Sequence, residues 1–135
     1  MLPLRYARRW QAAGIGALAL ALVAALAPAI LFPFDVQRAG IGIDKWLHAL
    51  SFMFLTVWFS GQYAPRSYWR IALGMLLFGL LIEVCQRMVA YRSAEATDLV
   101  ADAIGIALGL AIAFAGAGGW SLRVEGWLQA RSEAG

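Results

Sequence analysis

RIALGMLLFGLLIEVCQRMV, Arg70 to Val89, is an apolar run that ends in charge. Ile71 to Ile82 holds no ionisable side chain, and then Glu83, Gln86 and Arg87 arrive within little more than one turn. About 20 residues at ~1.5 Å rise cross a hydrocarbon core of ~30 Å, so the stretch reads as a membrane-spanning helix. Glu83 then lies ~18 to 20 Å into the crossing, deeper than any other charge in the chain. A charge in hydrocarbon costs at least ~2.5 to 3.5 kcal/mol, and one retained at that depth marks a function or a paired polar network.

The flanking sequence repeats the pattern. With helices at about 11–34, 44–63, 70–90 and 98–120, the expected architecture is all-α: a polytopic four-transmembrane-helix bundle with short loops, formed by residues 1–135 as a single domain. Composition agrees, since 62% of the 135 residues are hydrophobic, 14% are charged and the mean hydropathy is +0.71, too apolar for an ordinary soluble domain. The first run is longer than the ~7 to 15 residues of a signal-peptide core, and Pro28 follows Ala25-Leu26-Ala27, so it reads as an anchor. The net charge of +3 comes from eleven basic residues scattered over segment ends. Without a basic stripe, nucleic acid is not an expected partner. Cys85 has no second cysteine to pair with and reads as a small buried hydrophobe.

Arginine placement sets an expected orientation. Arg5, Arg8, Arg9, Arg66, Arg70, Arg123 and Arg131 fall on one side of the four-helix scheme, against Arg38, Lys45, Arg87 and Arg92 on the other. Both termini are therefore expected in the cytoplasm, with the chain multi-pass in the inner membrane. Trp10, Trp46, Tyr63, Trp69, Tyr91 and Trp120 all fall near segment ends, as interfacial aromatics do.

In this scheme helix two begins, helix three ends and helix four begins on the outer side. Asp44 and His48, Glu83 and Arg87, and Asp98 and Asp102 are each four residues apart, so each pair shares a helix face. Three faces could converge on one pocket. Asp44 could orient His48 as a base, or it could cap helix two while His48 points to headgroups. Glu83 could move a proton, or sit neutral against Gln86. Asp98 and Asp102 open helix four at the favourable end of its dipole, yet two acids one turn apart repel and call for a shared cation. The acids and His48 also form a set of donors for a divalent ion, but no strong metal signature is present and Lys45, Arg87 and Arg92 compete for the acids. No metal ligands and no cofactor are assigned. The same cations suit a phosphate or carboxylate, with Arg92 able to grip it through two hydrogen bonds.

Asp44-Lys45-x-x-His48-x-x-x-Phe52, Glu83-x-x-Gln86, Arg92, and Asp98-Leu99 followed by Gly105 together resemble the VanZ-like membrane protein family. The resemblance spans about Asp44 to Gly109 and departs at Asp102, where the family usually shows Asn. It adds Gln86 and Arg92 to the cluster and implies a cell-envelope role connected with tolerance of the glycopeptide antibiotic teicoplanin; it supplies no settled reaction. The resulting expectation is an outward polar site for an anionic, lipid-linked phosphate or peptidoglycan precursor. His48, Glu83 and Asp98 are its candidate catalytic groups, and Asp44, Lys45, Gln86, Arg87, Arg92 and Asp102 its candidate ligand-binding groups. The alternative is a non-catalytic scaffold whose ion pairs hold the helices together, and the residues leave open both this choice and assembly into oligomers.

Overall fold

A computed structural model describes residues 1–27, 43–88 and 96–134. The described residues form helices α1 (Ala7–Leu26), α2 (Ile43–Ser60), α3 (Tyr68–Arg87), α4 (Ala96–Ile112) and α5 (Trp120–Glu133). A 3-10 turn, Pro65–Ser67, leads into α3, and a single π turn, Ala113–Ala117, follows α4. The all-helical expectation holds. Three segments, Ala7–Leu26, Pro65–Arg87 and Thr97–Ala117, are long and apolar enough to cross a membrane. α2 does not join them, because its first two turns hold Asp44, Lys45 and His48.

The helix ends depart from expectation for local reasons. α1 begins at Ala7, since arginine is a good helix former and Arg8 and Arg9 continue it outward. It stops at Leu26 rather than near residue 34: Ala27, which precedes Pro28, turns to extended backbone at ψ 136°. Residues 28–34, and 89–90 of the expected third helix, lie outside the described residues. The expected fourth helix is broken in two. Gly116 (φ 125°) and Gly119 (φ 67°) take positive φ, the amide of Gly118 closes a wide turn on the Ala113 carbonyl at 2.8 Å, and α5 sets off anew. The tail is thus a 14-residue helix.

α2 and α4 run parallel and close. Lys45 lies beside Asp98, His48 beside Asp102, and further along the amide of Gly119 reaches the Ser60 carbonyl at 3.2 Å. Between these, a Cβ on Gly105 would strike the Ala49 backbone, and one on Gly109 would come within 2.8 Å of the Met53 carbonyl oxygen and 2.7 Å of Thr56 Cβ. The Gly105-x-x-x-Gly109 pair is therefore the floor on which α2 rests. Lipid tails are as apolar as leucine, so hydrophobicity drives no helix association in a bilayer and such close contact does. α3 runs the other way, packing Tyr68, Ile71, Met75 and Ile82 with Phe52 and Leu55 of α2 and Ile106 of α4.

Polarity is distributed inside out. Leu73, Leu77, Leu80, Leu81 and Val84 of α3, Leu108 and Phe114 beyond it, and Leu20 and Val23 of α1 are exposed, while Thr56, Ser60, Gln62, Glu83, Gln86, Asp98 and Asp102 are buried. An apolar coat over a polar interior suits lipid as the solvent.

Candidate functional site

The polar residues at one end of the helices are placed by the parallel α2–α4 contact. The Nδ1 atom of His48 lies 2.9 Å from Oδ1 of Asp102. Asp102 is 1% exposed. Its other oxygen lies against the α3 backbone at Gly79, where a Cβ would approach it to 2.5 Å. Gly79 is thus the gap in α3 that admits the carboxylate. Its signal in the sequence was only its place four residues before Glu83, on the same face. A carboxylate on Nδ1 favours the Nδ1–H tautomer of a neutral ring and leaves Nε2 as its acceptor.

Around this pair stand two ion pairs. Lys45 Nζ is 3.7 Å from Asp98 Oδ1, and Arg87 donates to Glu83 Oε1 at 3.2 Å. The cations are the open members: their side chains are 34% and 66% exposed, against 7% for Asp98 and 6% for Glu83. The acids form a floor and the cations a rim. Gln86 turns the other way, donating through Nε2 to the Ala25 carbonyl of α1 at 3.1 Å, with its buried Oε1 unpartnered among the described residues. That bond ties the end of α1 to α3.

His48, Glu83, Asp98, Lys45, Arg87 and Asp102 thus lie at the same end of the α2–α4 bundle, and Gln86 faces α1 there. The Glu83–Arg87 pair forms within one helix as its spacing required. The shared cation for Asp98 and Asp102 resolves into two partners, Lys45 and His48, both supplied by α2. The side chain of Asp44, and Arg92 and Tyr91 entirely, lie outside the described residues. Among the described residues no three His, Cys, Asp or Glu side chains gather as a metal-ligand set. Cys85 is half-buried rather than in the core.

The opposite end is knit by aromatics. Trp10, Trp58 and Trp120 meet pairwise with ring centroids 5.1 to 5.8 Å apart. Trp120 donates to the Val57 carbonyl at 3.1 Å, and Ser121 to that of Gly61. Trp10 and Trp120 are half-buried against one another at this end, whereas Trp46 and Trp69 are exposed. Glu125 of α5 accepts from the amides of Arg5 and Tyr6 at 2.7 and 2.9 Å and from the Trp10 indole at 2.8 Å. It caps α1 from 115 or more residues away. Burial pushes the Glu125 carboxyl up, but those three donors and the nearby Arg5 charge outweigh it and hold the group below the usual carboxylate range. No clear hint of this role stands in the sequence, since the tail from Ser121 onward balances Arg123 and Arg131 with Glu125 and Glu133.

Helices long and apolar enough to cross a membrane, packed around buried polar residues with an acid-and-base cluster at one helix end, are the architecture of a helical membrane protein. A family model described as VanZ/LLP1 matches residues 15–117. The chain belongs to the VanZ/LLP1 family, and the polar cluster lies within the matched region. Neither the curated proteins nor the solved structures compared with it gave a match.

Proposed function

We propose that this VanZ-like protein crosses the inner membrane four times with both termini in the cytoplasm, and that its outward polar site binds or acts on an anionic cell-envelope precursor or lipid. The observation that carries the reading is the arrangement of cations over acids: Lys45 and Arg87 are the more exposed members of pairs whose carboxylates are buried. An anion arriving at that end meets positive charge first and the His48–Asp102 pair behind it. In a reaction His48 or Glu83 would move a proton, with Asp98 setting the position of Lys45, and Arg92 would join Lys45 on a phosphate. A lipid-linked phosphate or a peptidoglycan precursor fits that chemistry, and glycopeptide tolerance, including to teicoplanin, is the phenotype the family connection suggests. The α2 crossing is supported by its parallel packing on α4, a segment apolar enough to span. The orientation is supported by the seven arginines expected on the side of the termini.

A second reading has its own observation. Lys45, His48 and Arg87 each have a carboxylate partner, which is what a structural network holding helices together requires. Single replacement of His48, Glu83 and Asp98 by Ala separates the two. Normal insertion and thermal stability with a lost envelope phenotype supports the site; loss of abundance and stability in proportion to phenotype supports the scaffold. Full phenotype in all three variants removes the first reading. Lipid co-purified with wild type and absent from Glu83→Ala, identified by mass spectrometry, would give the ligand class.

A further inference from the structure

The described structure holds a groove of about 600 Å³ at the end opposite the polar cluster, between the first turns of α1 and one face of α5. Arg5, just before α1, and Arg9 of α1 line it together with Leu128 and Gln129 of α5. Both guanidiniums gather on one ring: their central carbons lie 5.5 and 5.0 Å from the centroid of Tyr6. Two like charges brought to one ring repel. The Glu125 carboxylate at the groove attracts Arg5 while accepting the amides of Arg5 and Tyr6 and the Trp10 indole, so its relief falls on Arg5. Arg9 has no acidic partner among the described residues. One turn along α1 from Arg9 stands Ala13, and Leu128 also lines the groove, so its lining joins cations to apolar side chains.

We propose that this groove binds the phosphate headgroup of an anionic phospholipid. The phosphate lies between Arg5 and Arg9, which can each present paired N–H donors to its oxygens, and the glycerol and first methylenes lie along Ala13 and Leu128. The Tyr6 ring holds both guanidiniums in place by cation–π contact, which lowers the ordering needed on binding. The site shares no residue with the polar cluster and does not depend on what that cluster does.

The test is native mass spectrometry of the full chain in detergent, titrated separately with phosphatidylglycerol, phosphatidylcholine and inorganic phosphate. Phosphatidylglycerol should bind more tightly than phosphatidylcholine. Each cation near a lipid surface contributes enough that Arg9→Gln should weaken phosphatidylglycerol about fivefold and Arg5→Gln with Arg9→Gln about 25-fold. Arg70→Gln, which removes an arginine stacked on Trp69 outside the groove, should leave affinity within about twofold. If the double variant fails to insert, Arg9→Gln alone carries the comparison, since the Arg9 side chain makes no hydrogen bond or ion pair among the described residues. Equal affinity for the two lipids, or equal weakening by Arg70→Gln and Arg9→Gln, overturns the proposal. Inorganic phosphate binding as tightly as phosphatidylglycerol overturns it too, by showing a free-anion site.

Discussion

Removing the carboxylate of Asp102 should damage the protein far more than removing its charge. Asp102 Oδ1 lies 2.9 Å from His48 Nδ1, with side chains only 2% and 10% exposed, so water cannot replace the lost acceptor. Asp102→Ala strands a buried donor, which costs ~1 to 3 kcal/mol before any cavity cost. Asp102→Asn keeps a carbonyl oxygen in the same place and forfeits only the difference between a charge-assisted and a neutral hydrogen bond, about 1 kcal/mol. The Asn variant also restores the residue that the family usually shows there. His48→Ala leaves a buried carboxylate unpaired, a loss of ~3 to 5 kcal/mol if the pair is ionic. Combined with Asp102→Ala it should cost less than the sum, with a coupling of ~1 to 3 kcal/mol. Thermal unfolding in detergent reads these as shifts of about 3 to 5 °C per kcal/mol for a chain of this size. The reasoning fails if Asn is as damaging as Ala, or if the two single effects add to within ~0.5 kcal/mol.

Gly105→Ala should cost ~1 to 3 kcal/mol by forcing α2 off α4, since the new Cβ meets the Ala49 backbone. Gly16→Ala, with nothing within 4 Å of its Cβ, is the neutral comparison, and equal melting points for the two would dismiss the close-packing account. Glu125 supplies a pH signature. Its folded pKa is below its unfolded value, so its contribution is complete above the unfolded value and is lost as pH falls through the folded one. Melting of wild type should drop on acidification below the ordinary carboxylate range, and Glu125→Gln should start lower and show a smaller drop; parallel curves would contradict it.

Much of the polar site was legible because membrane solvation makes charge conspicuous. Glu83, Asp98 and Asp102 stood out in apolar context, and spacing of four put Glu83 with Arg87 without any knowledge of neighbours. The contact between His48 and Asp102 was not legible in that way. A local pattern offered Asp44, whose side chain lies outside the described residues, while the pair that the structure describes joins His48 Nδ1 to Asp102 Oδ1, 54 residues away. The glycines explain why: Gly105 sets how near α2 stands to α4, and Gly79 sets where the carboxylate can enter α3. Neither distance is encoded in a run of hydropathy.

Hydropathy and its interruptions fixed what one helix owes to its solvent, namely that Ala7–Leu26, Pro65–Arg87 and Thr97–Ala117 are apolar enough for lipid and that any charge among them had to be compensated. Each of those is a cost paid by a residue against its surroundings, so it can be read one segment at a time. Which charge compensates which is a property of pairs of helices. So is the capping of α1 by Glu125, whereas the break that made the tail a separate helix is local, set by positive φ at Gly116 and Gly119. The α2–α4 pairs depend on how closely backbones approach, and that was decided where Gly105 and Gly109 met α2.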